Sequence, residues 1–124
     1  GQRQRAWLAL VLAQQTPVVL LDEPTSYLDL SHQVEVLDLV RALPDPRDAG
    51  RATVVAVLHE LNLAARSADH IVAMAAGRVV AQGTPGEVIV PEVLAEVFGL
   101  DADVVADPLL GHPVVLPRGD GDRR

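Results

Sequence analysis

The chain has no cysteine, which excludes disulfides and thiolate chemistry and suits a reducing compartment. It also has no lysine: all ten basic residues are arginine. A phosphate-cradling loop of the form G-x-x-x-x-G-K-[ST] requires a lysine on the β- and γ-phosphates, so these 124 residues cannot supply one. Long apolar stretches are missing too. The longest unbroken one, Ala6 to Ala13, falls far short of the ~20 residues a membrane-spanning helix needs. Positive charge is in deficit, with a net charge of −7, which argues against a nucleic-acid partner because phosphate-backbone binding relies on clustered cations. What remains is enough for one domain with a real core, since a chain of this size buries roughly two-thirds of its unfolded surface.

Residues 2–14 lack Pro and Gly and are rich in Ala, Leu, Arg and Gln, which predicts a helix, apolar around most of its second half and therefore buried. Thr16-Pro17 breaks it. The run Val18-Val19-Leu20-Leu21 then reads as a strand buried on both faces of a parallel sheet. A helix capped by Ser31 is expected through about Leu43, with Val34, Leu37 and Val40 along one stripe. After a Pro-rich surface loop, Thr53 to Leu58 reads as a second buried strand, followed by a helix from Leu61 to Ala68. Strand, helix, strand, helix is the order of an α/β domain with a mostly parallel sheet.

The pattern changes past Asp69. His70 to Met74 and Arg78 to Gln82 form a hairpin expected to turn at Ala76-Gly77. Thr84-Pro85-Gly86-Glu87 has the capping-box layout, and short helices run to Phe98 with Gly99 as a left-handed stop. Asp103 to Ala106 and Pro113 to Leu116 are expected to pair as a terminal hairpin, with a frayed tail from Arg118.

Chemistry concentrates at the ends of the two apolar strands. Asp22 and Glu23 close the first, followed by Pro24-Thr25 and the turn Ser26-Tyr27-Leu28-Asp29. His59 closes the second and so shares a sheet edge with the two carboxylates, the edge where ligands of parallel sheets bind. Each feature alone also fits a plain role: an acidic strand end, a polar helix entry, a structural histidine. A zinc reading of His59-Glu60 fails because H-E-x-x-H would need histidine where Leu63 stands. His32, His70 and His112 show no ligand spacing and are expected to face solvent. Gly1-Gln2-Arg3-Gln4-Arg5 opens the first helix, whose N-terminal amides and dipole favour phosphate.

In this order, the segments resemble the second half of an ABC-transporter ATP-binding subunit over nearly the whole chain. Gly1 and Gln2 look like the last two residues of the L-S-G-G-Q signature, Leu20 to Thr25 like Walker B, Ser26 to Asp29 like the D-loop, and His59 like the switch histidine. The resemblance implies a P-loop NTPase-like α/β fold: residues 1–99 as the C-terminal half of the nucleotide-binding domain and 100–124 as a small extension. It implies ATP and Mg²⁺ as cofactors, with Asp22 on the metal, Glu23 as general base and His59 on the γ-phosphate. Gly1, Gln2 and Asp29 would serve the nucleotide across a head-to-tail interface with a second ATP-binding subunit. Transmembrane permease subunits would seat the assembly at the cytoplasmic face of the membrane, with a periplasmic or lipid-anchored substrate-binding protein as an indirect partner.

Finer similarity in Gln2 to Trp7, Leu28 to Gln33, Leu58 to Arg66 and Val97 to Leu100 resembles importers of ferric siderophores, haem and cobalamin, with siderophores favoured. Glu60 stands where that group usually has Asp. The other readings are a soluble non-transport ABC ATPase and a degenerate interaction module. The absent P-loop, Q-loop and first part of the signature, and a start without Met, make a fragment of a longer subunit the expectation. The 124-residue chain alone is therefore expected to release no phosphate from ATP. Phosphate release abolished by Glu23→Gln in this chain would contradict that.

Overall fold

The computed structural model describes residues 3, 6, 9, 10, 13, 16–47 and 50–119. Two compact units divide the chain, Gly1–His59 and Glu60–Arg124. In the first, the described residues of the opening segment, Arg3, Ala6, Ala9, Leu10 and Ala13, are helical. They are exposed rather than buried, because the unit's core is assembled from other elements.

Strand β1 (Val18–Asp22) and strand β2 (Thr53–Val57) pair in parallel, in register from Val18 opposite Thr53 to Asp22 opposite Val57. Helix α1 (Leu30–Arg41) joins them, followed by the expected surface loop, exposed over most of its described residues, in which Pro44 bridges Arg51. The helix starts one residue before Ser31, with Asp29 as its cap. Aspartate at this position can accept the His32 amide, whereas a Ser31 cap would leave that donor unpaired. Val36 and Val40 of α1 pack with Leu43 on Val19 and Leu21 of β1.

That packing covers one face of the strand pair only. Val18, Leu20, Val55 and Val57 project from the other face and are exposed, Leu20 by 74%. The expectation of a strand buried on both sides is therefore corrected: four consecutive apolar residues alternate in burial, because a single helix lies against the pair among the described residues.

The second unit begins with helix α2 (Leu61–Ser67) and the antiparallel hairpin of β3 (Ile71–Ala75) and β4 (Arg78–Gly83). Ala76 and Gly77 form its two-residue turn with φ of 51° and 74°, the left-handed pair that matches strand twist. Between Ala73 and Met74 the register shifts at a bulge that alternation does not announce. Helix α3 (Pro85–Val88) carries the expected capping interaction, the Glu87 carboxylate accepting from Thr84 N–H at 3.0 Å and from its hydroxyl at 2.9 Å. Helix α4 (Pro91–Phe98) ends at Gly99 with φ of 61°. Leu100 N–H then reaches back to the Leu94 carbonyl at 3.2 Å, as a left-handed stop requires.

Strand β5 (Ala102–Ala106) and strand β6 (Pro113–Pro117) close the unit as an antiparallel hairpin. Ala65, Ile89, Leu94, Ala102 and Val115 form the core, with Leu94 fully buried. Two expectations are corrected here. Arg118 is not frayed: its guanidinium forks onto both oxygens of Asp103 at 2.6 and 2.8 Å, and its N–H donates to the Asp101 carbonyl. His112 is not solvent-facing: its ring is largely buried beside Asp107 and the Pro113 carbonyl. Among the described residues, no helix is long and apolar enough to cross a membrane.

Alanine at a left-handed turn position carries a cost that asparagine largely avoids. Ala76→Asn should stabilise the β3–β4 hairpin by roughly 0.5–1 kcal/mol, read as a raised unfolding midpoint in denaturant.

Candidate functional site

Parallel registry builds the site. Because Asp22 lies opposite Val57, the chain leaves both strands at the same edge, and Glu23 and His59 emerge side by side. Glu23 N–H donates to the Val57 carbonyl at 3.0 Å, extending the strand pairing by one bond beyond Asp22. At that residue the backbone turns sharply, and Glu23 takes φ of 50°, a conformation costly for a side-chain-bearing residue. Non-glycine residues held there commonly mark functional turns.

The consequence is a direct side-chain contact between Glu23 Oε1 and His59 Nε2, across 36 residues of sequence. The imidazole N–H donates and the carboxylate accepts. The His59 side chain is 73% exposed and that of Glu23 44%, so both remain open to a ligand. Ser26 hydroxyl donates to the other Glu23 oxygen at 3.4 Å. Asp22 is exposed on the open face of the sheet, and no group of three or more His, Cys, Asp or Glu could hold a metal among the described residues. A single carboxylate is the donor count that suits Mg²⁺, which keeps water and phosphate oxygens as its other ligands.

From Glu23 the chain passes through buried Pro24 and Thr25, and two turn bonds, Ser26 N–H to Glu23 and Leu28 N–H to Thr25, compact it. The Gln33 amide clamps the Thr25 carbonyl at 3.4 Å. Tyr27 is fully exposed at φ of 65°. Asp29 then caps α1. Its Oδ1 accepts from His32 N–H at 3.0 Å and Ser31 hydroxyl at 3.0 Å, and lies 2.6 Å from His32 Nδ1. These bonds, led by the His32 amide, hold the Asp29 carboxyl below its ordinary pKa.

The structure thus brings Asp22, Glu23 and His59 to one edge and places Asp29 one turn further along. Gly1 and Gln2 lie outside the described residues. Three supporting contacts lie outside the sequence reading: the Ser26 hydroxyl on Glu23, the Gln33 amide on the turn, and the Asp29 contact of His32. The position of His32 three residues after Asp29 is the helix-start spacing that brings two side chains together, and that signal was present.

No family model matches the chain. Sequence comparison finds the petrobactin import ATP-binding protein FpuD of Bacillus anthracis, 50% identical over 123 residues, covering 99% of this chain and 44% of FpuD. The ferric enterobactin transport ATP-binding protein FepC of Escherichia coli is 49% identical over 119 residues, covering 96% of this chain and 43% of FepC. Hemin and cobalamin import ATP-binding proteins follow at 48% and 45% identity. The chain spans less than half the length of these relatives. Among solved structures, a metal-chelate type ABC transporter in an inward-facing conformation superposes with a TM-score of 0.78 at 24% identity, over 97% of this chain and 48% of that one. The fold is that of part of an ABC-transporter ATPase, and the resemblance to ATP-binding subunits of siderophore, haem and cobalamin importers is borne out.

A folded pKa lowered below the unfolded one gives a stabilising contribution that is complete above the unfolded value and lost as pH falls through the folded value. The Asp29 carboxyl should therefore show an NMR titration midpoint below that of an ordinary aspartate, and the cap should persist to correspondingly lower pH. Ser31→Ala combined with His32→Ala should raise the midpoint only part of the way, because the residue 32 amide still donates. Full return to the ordinary value would show that the side chains, not the amide, set the shift.

Proposed function

We propose that this chain is the C-terminal half of the ATP-hydrolysing subunit of an ABC importer for ferric siderophores. The observation that carries the reading is the pairing of Glu23 with His59 at the shared end of two parallel strands, with Asp22 beside them. Residues 1–99 are the part belonging to the nucleotide-binding domain, and 100–124 its extension. The siderophore assignment draws on the relatives named for petrobactin and ferric enterobactin.

In the complete subunit, Asp22 would hold Mg²⁺, which when bound offsets the charge of the β- and γ-phosphates. The Glu23 carboxylate sits with one oxygen on His59 and the other toward Ser26, so it is oriented before any water arrives. It accepts a proton from the attacking water, the role of a positioned general base. His59 must give up its bond to Glu23 to donate to a γ-phosphate oxygen, and that exchange frees Glu23 for the water. Binding of nucleotide and activation of the base are thereby linked through one imidazole.

Asp29, with Gly1 and Gln2, serves the nucleotide held by a second copy of the subunit. The pair of subunits docks on transmembrane permeases at the cytoplasmic face of the membrane, and a substrate-binding protein delivers the cargo from the other side. Cargo choice rests with those partners.

In the complete subunit assembled with its permease, Glu23→Gln should retain ATP binding, lower turnover by roughly a hundredfold or more and accumulate the closed dimer. His59→Ala should lower turnover comparably. Phosphate-release assays returning wild-type rates for either variant would refute its assigned role.

A further inference from the structure

The Asp29 carboxylate is held from one side. Its Oδ1 collects three donors: the His32 amide at 3.0 Å, the Ser31 hydroxyl at 3.0 Å and, at 2.6 Å, the His32 ring through Nδ1. A carboxylate oxygen offers about two lone-pair sites, so Oδ1 is saturated. Oδ2 accepts no hydrogen bond among the described residues, and the side chain as a whole is 67% exposed. All of these groups belong to the compact unit Gly1–His59.

Capping α1 requires the amide bond alone. A carboxylate held by that single bond can pivot about it, and the Ser31 hydroxyl can rotate to follow. The imidazole cannot: its nitrogen sits in a rigid ring on a helical residue, so the contact fixes the carboxylate plane and with it the direction of Oδ2. An ionised carboxylate only accepts, and the contact therefore selects the ring form that carries a proton on Nδ1. The bonds to Oδ1, led by the His32 amide, favour the charged carboxylate, which leaves Oδ2 a strong and open acceptor.

We propose that His32 is a positioning residue for Asp29: its ring draws Oδ1 into the α1 cap and so presents Oδ2 to the second copy of the subunit. The inference rests on the role across that interface given to Asp29 above. Asparagine and leucine separate the donor of the ring from its bulk. In both, as in histidine, two heavy atoms branch from Cγ; asparagine can offer one of them as an N–H donor in the place of Nδ1, and leucine offers none. Leucine is also the better helix former, so a loss on His32→Leu would not come from a weaker α1. The cost falls on the step in which the two copies close on nucleotide, with little change in the affinity of each for ATP.

The test uses the complete ATP-binding subunit with its permease, comparing wild type, His32→Leu, His32→Asn and Asp29→Asn. His32→Leu should lower kcat by about tenfold while KM for ATP stays within about twofold and the unfolding midpoint is not lowered. His32→Asn should recover to within about threefold of wild type. Asp29→Asn keeps an oxygen for the cap but sets NH₂ at the open end, and should lose at least as much as His32→Leu. Wild-type kcat in His32→Leu, with Asp29→Asn impaired, would overturn this inference alone. Equal losses in His32→Leu and His32→Asn, or a loss that tracks a lowered unfolding midpoint, would also overturn it, since ring bulk or helix stability would then be the cause. Wild-type kcat in Asp29→Asn would overturn the role given to Asp29 and this inference with it.

Discussion

The parallel pairing of β1 with β2 is the constraint on which the candidate site depends. Antiparallel strands would send their ends to opposite edges, whereas parallel registry from Val18–Thr53 to Asp22–Val57 delivers both chains to one edge within reach of a hydrogen bond. The bond from Glu23 N–H to the Val57 carbonyl carries that registry one residue past the strand and fixes the base of the Glu23 side chain. Without it, the positive φ at Glu23 would have no partner to offset its strain, and the contact with His59 would be one of many loop geometries.

The same edge is reinforced from the helix side. The turn that follows Glu23 is held by Gln33, and the helix is capped by Asp29, so α1 stabilises the loop while packing Val36 and Val40 on the sheet. Packing and chemistry use opposite sides of one strand. Leu21 anchors β1 in the core and Asp22, the next residue, faces outward.

Much of this arrangement was legible in the sequence, because it follows from short-range chemistry. The strand run ending in Asp22-Glu23, the Ala76-Gly77 turn, the Thr84 capping box and the Gly99 stop each depend on a few neighbouring residues and fall where their patterns place them. The shared edge of Glu23 and His59 was legible too, through strand order rather than contact. Features that depend on distant partners were not. The hydrogen bonds between Asn62 and Val115 and the fork of Arg118 on Asp103 join residues 53 and 15 apart, with no local signature. Burial on both faces of β1 was inferred from composition alone, and composition cannot tell how many layers cover a sheet. The helix cap shifted to Asp29 because two capping residues stand close together and the one with the better-placed oxygen prevails.

The open face of the strand pair has a consequence for handling the chain. Val18, Leu20, Val55 and Val57 form an apolar surface beside two strands that have no further strand partner among the described residues. Such a surface is adhesive: like edges can pair and like faces can stack between copies. Self-association of this polypeptide on its own would therefore rise with its concentration and cover the face that also carries Asp22.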